Sequence, residues 1–260
     1  MDLKLAGQTA LVTGASQGIG EGLAKSFADE GVHLHLTARN EGALARIKTE
    51  IQNSCDVRVA LHPLDLTEPG ACARLSEAAG DVDILVNNAG AIPSGTLAEL
   101  DEKVWRDGWE LKVMSYINLC RIYYEKMKVN GSGVIINNIG NSGEIFDPKY
   151  IAGTTGNAGL MAFTRALGGH SLDDNIRVVG VNPGPVDTER IYNMLKKRAG
   201  DVLGDEGRYT ELLEGYPLSR PARVHEVTDL IVFLASFRAG YTSGVIYTVD
   251  GGISSRRSII

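Results

Sequence analysis

Cysteine is scarce: Cys55, Cys72 and Cys120 are the only three in 260 residues, widely spaced and without a CxxC pair. That leaves no disulfide framework and no thiolate zinc site, and it fits a reducing cytosol. An excess of basic residues is also missing. The net charge of -6 argues against nucleic acid or an anionic membrane as main partner, while leaving room for a local basic pocket. No apolar run reaches membrane-spanning length. The opening MDLKLAGQTALVTG goes straight into a strand-like run with no basic leader, so a cytoplasmic protein without a membrane anchor is expected. Nothing resembles a metal-ligand cluster. No repeat, low-complexity tract or linker divides the chain, so residues 1–260 read as one domain.

What is present is regular alternation. Hydrophobic residues make up 43% and charged residues 22%, ordinary for a globular protein. TALVTG, VHLHLT, VRVALHPLD, DILVNNAG, GVIINNIG, IRVVGVNPG and GVIYTVDGG read as strands, rich in Val, Ile and Leu and mostly closed by Gly, Asn or Asp. GIGEGLAKSFADEG, EGALARIKTEIQN and EPGACARLSEAA read as helices between them. RVHEVTDLIVFLAS sets Val224, Val227, Ile231 and Leu234 on one helical face. Strand–helix alternation predicts an α/β fold: a doubly wound parallel sheet with helices on both faces. Residues 187–219, charged and Gly-containing, are expected to be irregular and to form a substrate lid over the strand ends.

The first strand runs into TGASQGIG. Gly14, Gly18 and Gly20, with Ser16, Gln17 and Ile19 between them, allow a tight turn whose backbone N–H groups approach a pyrophosphate at a helix N-terminus. Placed after the first strand of a βαβ unit, this is a dinucleotide signature. The second strand ends in LTARN, with Arg39 and no carboxylate. An acidic residue there bonds the ribose of NAD, whereas an arginine accommodates the 2′-phosphate of NADP, so NADP(H) is expected over NAD(H). Gln17 adds no second charge.

TGASQGIG, Asp65 in LDL, NNAG ending at Gly90, VNPGPVDT and the terminal VDGG occur in order. Together they resemble the short-chain dehydrogenase/reductase family over essentially the whole chain. The resemblance implies a Rossmann fold holding a nicotinamide cofactor. It implies that Asp65 and Leu66 border the adenine, that Asn87, Ala89 and Gly90 line the cofactor trough, and that Pro183, Gly184, Val186 and Thr188 hold the nicotinamide end.

The family moves a hydride between carbonyl and alcohol with a tyrosine as acid/base, a lysine that lowers its pKa, a serine that polarises the substrate oxygen and an asparagine in the proton relay. A free phenol titrates at about 10, so it needs positive charge nearby to work near neutrality. With AGLMAFTRALG fixing the register, all four are replaced: the lysine position falls on Asn157, the tyrosine on Gly153, the serine on Gly140 and the asparagine on Lys112. Lysine and asparagine have thus changed places, as if the positive charge were delivered from the opposite helix. Tyr150 lies three residues before Gly153, about 4.5 Å back along a helix, and is the candidate for a displaced phenol, although Pro148 allows it to sit in the incoming loop. Ser142, two residues beyond Gly140, is the candidate hydroxyl. Tyr116 and the histidines are assigned to packing or left without a role.

Three readings stay open: an oxidoreductase with a rearranged site acting on a small organic carbonyl or alcohol, a nicotinamide-binding sensor or scaffold without turnover, and a non-redox enzyme on the same fold. The resemblance further implies a homodimer or homotetramer, with Leu119, Ile122, Tyr123, Phe163 and Leu167 at a helical seam.

Overall fold

In the computed structural model, which describes residues 1–256, all seven strand-like runs become strands of one sheet. These are β1 (Thr9–Thr13), β2 (His33–Ala38), β3 (Val59–Pro63), β4 (Ile84–Asn87), β5 (Gly133–Asn138), β6 (Ile176–Pro183) and β7 (Ile246–Val249). Every pairing is parallel and the order is β3-β2-β1-β4-β5-β6-β7. β5 and β6 are buried along their full lengths whereas β7, at the edge, is not. Unbroken apolar runs are what strands covered on both faces require.

The helices are α1 (Gly18–Asp29), α2 (Glu41–Gln52), α3 (Ala71–Ala79), α4 (Glu102–Trp109), α5 (Ser115–Asn130), α6 (Ile151–Gly168), α7 (Glu189–Leu203) and α8 (Val224–Ala235). Leu23, Phe27, Leu44, Ile47, Val227, Ile231 and Leu234 join α1, α2 and α8 in one core. Leu75, Leu119, Tyr123 and Met127 join α3 and α5 in the other. Each such side chain contributes roughly 1.5–3 kcal/mol when fully buried. Glycine lets α1 and α8 approach closely, since a Cβ at Gly22 would lie 2.3 Å from Val224. Arg177 is buried beneath the end of α8 and donates to the carbonyls of Leu234, Ala235, Ser236 and Ala239, supplying donors to a helix terminus that lacks its own.

Two expectations are corrected here. Residues 187–219 are mostly helical: α7 is followed by 3₁₀ turns at Glu206–Gly215 and Pro217–Ser219, because Leu195 and Ala199 give α7 a buried stripe. Leu119 and Tyr123 cannot form a subunit seam, being wholly enclosed within the chain; Ile122, Phe163 and Leu167 are only partly buried. Among the described residues no helix is long and apolar enough to cross a membrane.

α4 and α5 form one rod interrupted by a π-helical turn at Glu110–Met114, which contains Lys112. Such widened turns re-aim side chains and recur at functional sites. The strand order reverses between β1 and β4, and ligands of open α/β sheets bind at that switch point, beyond the strand ends.

Candidate active site

The glycine turn is closed by contacts that no side chain could share. A Cβ on Gly20 would lie 2.1 Å from the Gly14 carbonyl oxygen, and one on Gly14 would lie 2.8 Å from Ala89 Cα. Gly14 and Gly18 also adopt positive φ, +66° and +56°, at no steric cost for glycine. Thr13 Oγ1 accepts from the N–H groups of Asn88 and Ala89 at 2.8 and 3.0 Å, and Asn88 Nδ2 donates to the carbonyls of Thr13 and Gly14. The ends of β1 and β4 are thereby locked together. Gln17, the N-cap of α1, makes no side-chain capping bond, so the first N–H groups of that helix remain available to an anion. This cradle fits a dinucleotide pyrophosphate.

Beyond the turn, Arg39 stands at the end of β2, 70% exposed, with Nη1 3.7 Å from Asp65 Oδ2. Burial works to raise the Asp65 carboxyl, but the N–H and hydroxyl of Thr67, and then Arg39, outweigh it and hold it below the usual carboxylate range. Leu66 packs into the core near Leu75. Asn87 is placed differently from the expectation. Its side chain faces into the sheet, fully buried, donating to Asn137 Oδ1 and Cys120 Sγ. It is Asn88 that braces the trough, a residue sequence reasoning passed over. At the far end, Asp250 occupies the space a side chain on Gly184 would need. Val186 is buried and pairs with Ala222, Pro183 ends β6, and the Thr188 methyl approaches Gly18.

Three of the four replaced positions, Lys112, Gly140 and Asn157, meet at the end of β5. Gly140 has φ +127°, a conformation closed to the serine that the family pattern would place there. Ser142, in the short turn Asn141–Gly143, presents a hydroxyl nearby that accepts from Asn157 Nδ2 at 2.5 Å. Asn157 Oδ1 is buried without a partner among the described residues, which costs about 1–3 kcal/mol that a donor entering the site would remove. From the opposite helix, Lys112 covers Gly90 with its aliphatic stem and donates from Nζ to the Ile139 carbonyl. Lys112 and Asn157 thus flank one dipeptide, Ile139–Gly140, the juxtaposition the exchanged residues require. Burial, reinforced by the Arg190 charge, lowers the Lys112 ammonium to about 7.

Tyr150 is the N-cap of α6, with non-helical backbone angles. Its ring lies over Gly153: a Cβ there would be 2.1 Å from both Cε1 and Cζ. The phenol therefore fills the room that the missing side chain leaves. Its hydroxyl accepts from Arg190 Nη2 at 3.3 Å, and Arg190 Nη1 donates to the Gly90 carbonyl at 3.1 Å. Arg190 escaped the sequence reading, because an arginine one residue into a charged helix carries no motif. Tyr116 is fully enclosed and bonds the Asn138 carbonyl. His35 and His62 pair with each other on β2 and β3, remote from these groups.

Comparison with known proteins identifies the family and the fold. The family model described as "short chain dehydrogenase" matches residues 8–199. Galactitol 2-dehydrogenase (L-tagatose-forming) of Cereibacter sphaeroides is 32% identical, with 96% of each chain covered. Among solved structures, L-sorbose reductase from Gluconobacter frateurii complexed with NADPH and L-sorbose is 33% identical, covering 99% of this chain and 100% of that one, with a TM-score of 0.91. 7α-Hydroxysteroid dehydrogenase complexed with NADH is 27% identical over 96% of each chain, with a TM-score of 0.85.

Proposed function

The chain belongs to the short-chain dehydrogenase/reductase family and is a nicotinamide-dependent oxidoreductase that interconverts a carbonyl and an alcohol; from that premise we propose that its proton machinery is rebuilt around Lys112 and Tyr150. The observation that carries the proposal is the Tyr150 ring seated in the space above Gly153. When bound, the nicotinamide supplies or accepts the hydride. Tyr150 gives its proton to the carbonyl oxygen during reduction and takes it back during oxidation. Lys112, held at the Ile139 carbonyl, supplies the positive charge that offsets a phenolate. Ser142, fixed by Asn157, orients the substrate oxygen. A small organic substrate, a single Rossmann unit spanning the chain, and a homodimer or homotetramer using the outer faces of α5 and α6 complete the reading. The three free thiols suit a cytoplasmic location. The test follows cofactor absorbance with NADPH and NADH across a panel of carbonyls. Tight cofactor binding without turnover of any of them would defeat the proposal in favour of a sensor.

NADP(H) is the proposed preference, supported by Arg39, whose only ionic partner among the described residues is Asp65 at 3.7 Å, a loose pairing. Such exposed pairs contribute about 0–1 kcal/mol, so little is lost when a 2′-phosphate takes the guanidinium. Arg39→Ala should remove a charge-assisted interaction of about 1.5–3 kcal/mol, weakening NADPH roughly 10- to 150-fold while NADH changes little. Titration of both cofactors by protein fluorescence checks this, and equal losses would refute the clamp.

A further inference from the structure

The mouth of this site is basic although the chain as a whole is acidic. On α7, Arg190, Met194 and Lys197 fall at i, i+4 and i+7 and are all exposed, forming one face with a cation at each end and hydrocarbon between. Lys149 immediately precedes Tyr150, and the charges of Lys197 and Lys149 both reach Glu99. Glu99 accepts from the N–H and hydroxyl of Thr96 at 2.7 and 3.0 Å and offsets one positive charge of the three cations, leaving the mouth net positive. These bonds, ahead of the two lysines, hold it below the usual range. Arg190 spends two donors on uncharged oxygens, those of Gly90 and Tyr150, and pairs with no carboxylate among the described residues. Asp187, close in sequence, is engaged with Tyr192 instead. The rest of the guanidinium fork is open, in a geometry that matches a carboxylate bidentately.

We infer that Arg190 binds a carboxylate on the substrate, with Lys149 and Lys197 drawing the anion in, so that the site reduces short oxo acids and oxidises the corresponding hydroxy acids. The 3.3 Å separation between Arg190 Nη2 and the Tyr150 hydroxyl sets the spacing. A carbonyl oxygen on Tyr150 and a carboxylate on Arg190 are neighbours, about two or three bonds apart, which describes a 2-oxo or 3-oxo acid. The carboxylate is unchanged by the reaction: hydride adds to the carbonyl carbon, and the Tyr150 proton goes to its oxygen. This inference rests on the oxidoreductase reading above, and its test has one arm that does not need turnover.

In the kinetic arm, 2-oxobutyrate and acetoacetate are compared with their methyl esters, which lack the charge. The ester's added methyl and more electrophilic ketone are common to wild type and variant, so the change in the acid-to-ester ratio is the readout. The wild type should favour the acid of at least one pair. In Arg190→Gln the acid-to-ester ratio of kcat/KM should fall at least tenfold, mainly through KM, and Arg190→Lys should restore part of it. In the binding arm, calorimetry at low salt compares butyrate with butyramide in the presence of oxidised cofactor. Butyrate alone should bind the wild type, and that binding should weaken at least tenfold in Arg190→Gln. A wild-type preference for the esters, an unchanged ratio, or equal butyrate binding by wild type and variant would each overturn the inference. So would an Arg190→Gln loss of NADPH affinity as large as the loss for the acid, since the arginine would then belong to the cofactor pyrophosphate. If no carbonyl is turned over but butyrate binds through Arg190, the oxidoreductase reading fails and the anion site stands.

Discussion

Lys112→Met should cost about 10²- to 10⁴-fold in kcat, the range that a positioned acid–base group contributes, with cofactor affinity within a few fold. Methionine keeps the unbranched stem that packs over Gly90 and removes only the amine that donates to Ile139. Circular dichroism and cofactor titration separate a lost charge from a lost fold. Full activity in this variant would refute a relocated charge. The amine also sets a pH signature. It is charged below about 7 and neutral above, so if its charge drives proton transfer, kcat/KM for carbonyl reduction at saturating cofactor falls as pH rises through that region. The stability signature has the opposite sign. The folded-state value is depressed from 10.5 to about 7, so between those limits the unfolded chain binds more protons, and wild-type stability gains with rising pH. Urea titrations of wild type and Lys112→Met across that window should therefore diverge, the variant lacking the gain. Parallel curves would mean that the amine is solvated.

Gly153→Ala should cut activity as severely as loss of the Tyr150 hydroxyl while sparing the fold. Gly153 is the third residue of α6, where alanine fits the helical backbone at least as well as glycine, its advantage in a helix interior being about 1 kcal/mol. Yet the new methyl would stand 2.1 Å from the Tyr150 ring, well inside carbon–carbon contact at roughly 3.5 Å, and the ring has to leave. The expected result is a thermal midpoint equal to or above that of the wild type, with kcat reduced as far as in Tyr150→Phe, about 10²- to 10⁴-fold. The double variant should be no worse than either single one, because both remove the same hydroxyl from the same place. Undiminished turnover in Gly153→Ala would show that the phenol over Gly153 plays no part. An additive loss in the double variant would show that the glycine matters for some other reason.

The architecture was legible because its signals are local. β5 and β6 carry the continuous apolar runs Val134–Ile136 and Val178–Val181 (broken only by Gly180) that coverage on both faces calls for, and each strand ends in residues suited to a turn. The exchange of Lys112 and Asn157 came from the family resemblance: AGLMAFTRALG set the register against the family pattern, and the family fold implied that the two positions are neighbours. What failed depended on direction or on distance. Leu119 and Tyr123 were read as a seam, but sequence cannot tell a helix face turned toward its own sheet from one turned toward another subunit. Asn87 and Asn88 are adjacent, and only the pleat of β4 decides that the first points into the sheet and the second toward the glycine turn. Residues 187–219 looked irregular because charges and glycines are interspersed among the apolar positions, although Ile191, Leu195 and Ala199 were spaced for a helix. The π-helical turn around Lys112 follows no sequence rule, and the reach of Arg190 to Tyr150 is a property of folded geometry alone.

The lock that Thr13 and Asn88 place across the glycine turn has a thermodynamic consequence. A loop ordered only on contact with its ligand charges that ordering against affinity, at about 1–2 kcal/mol for each residue fixed. Here the hydrogen bonds between the ends of β1 and β4 are already made within the chain. The entropy of shaping the cradle is then met when the sheet folds, and association at this end of the trough resembles the seating of a rigid body in a finished mould.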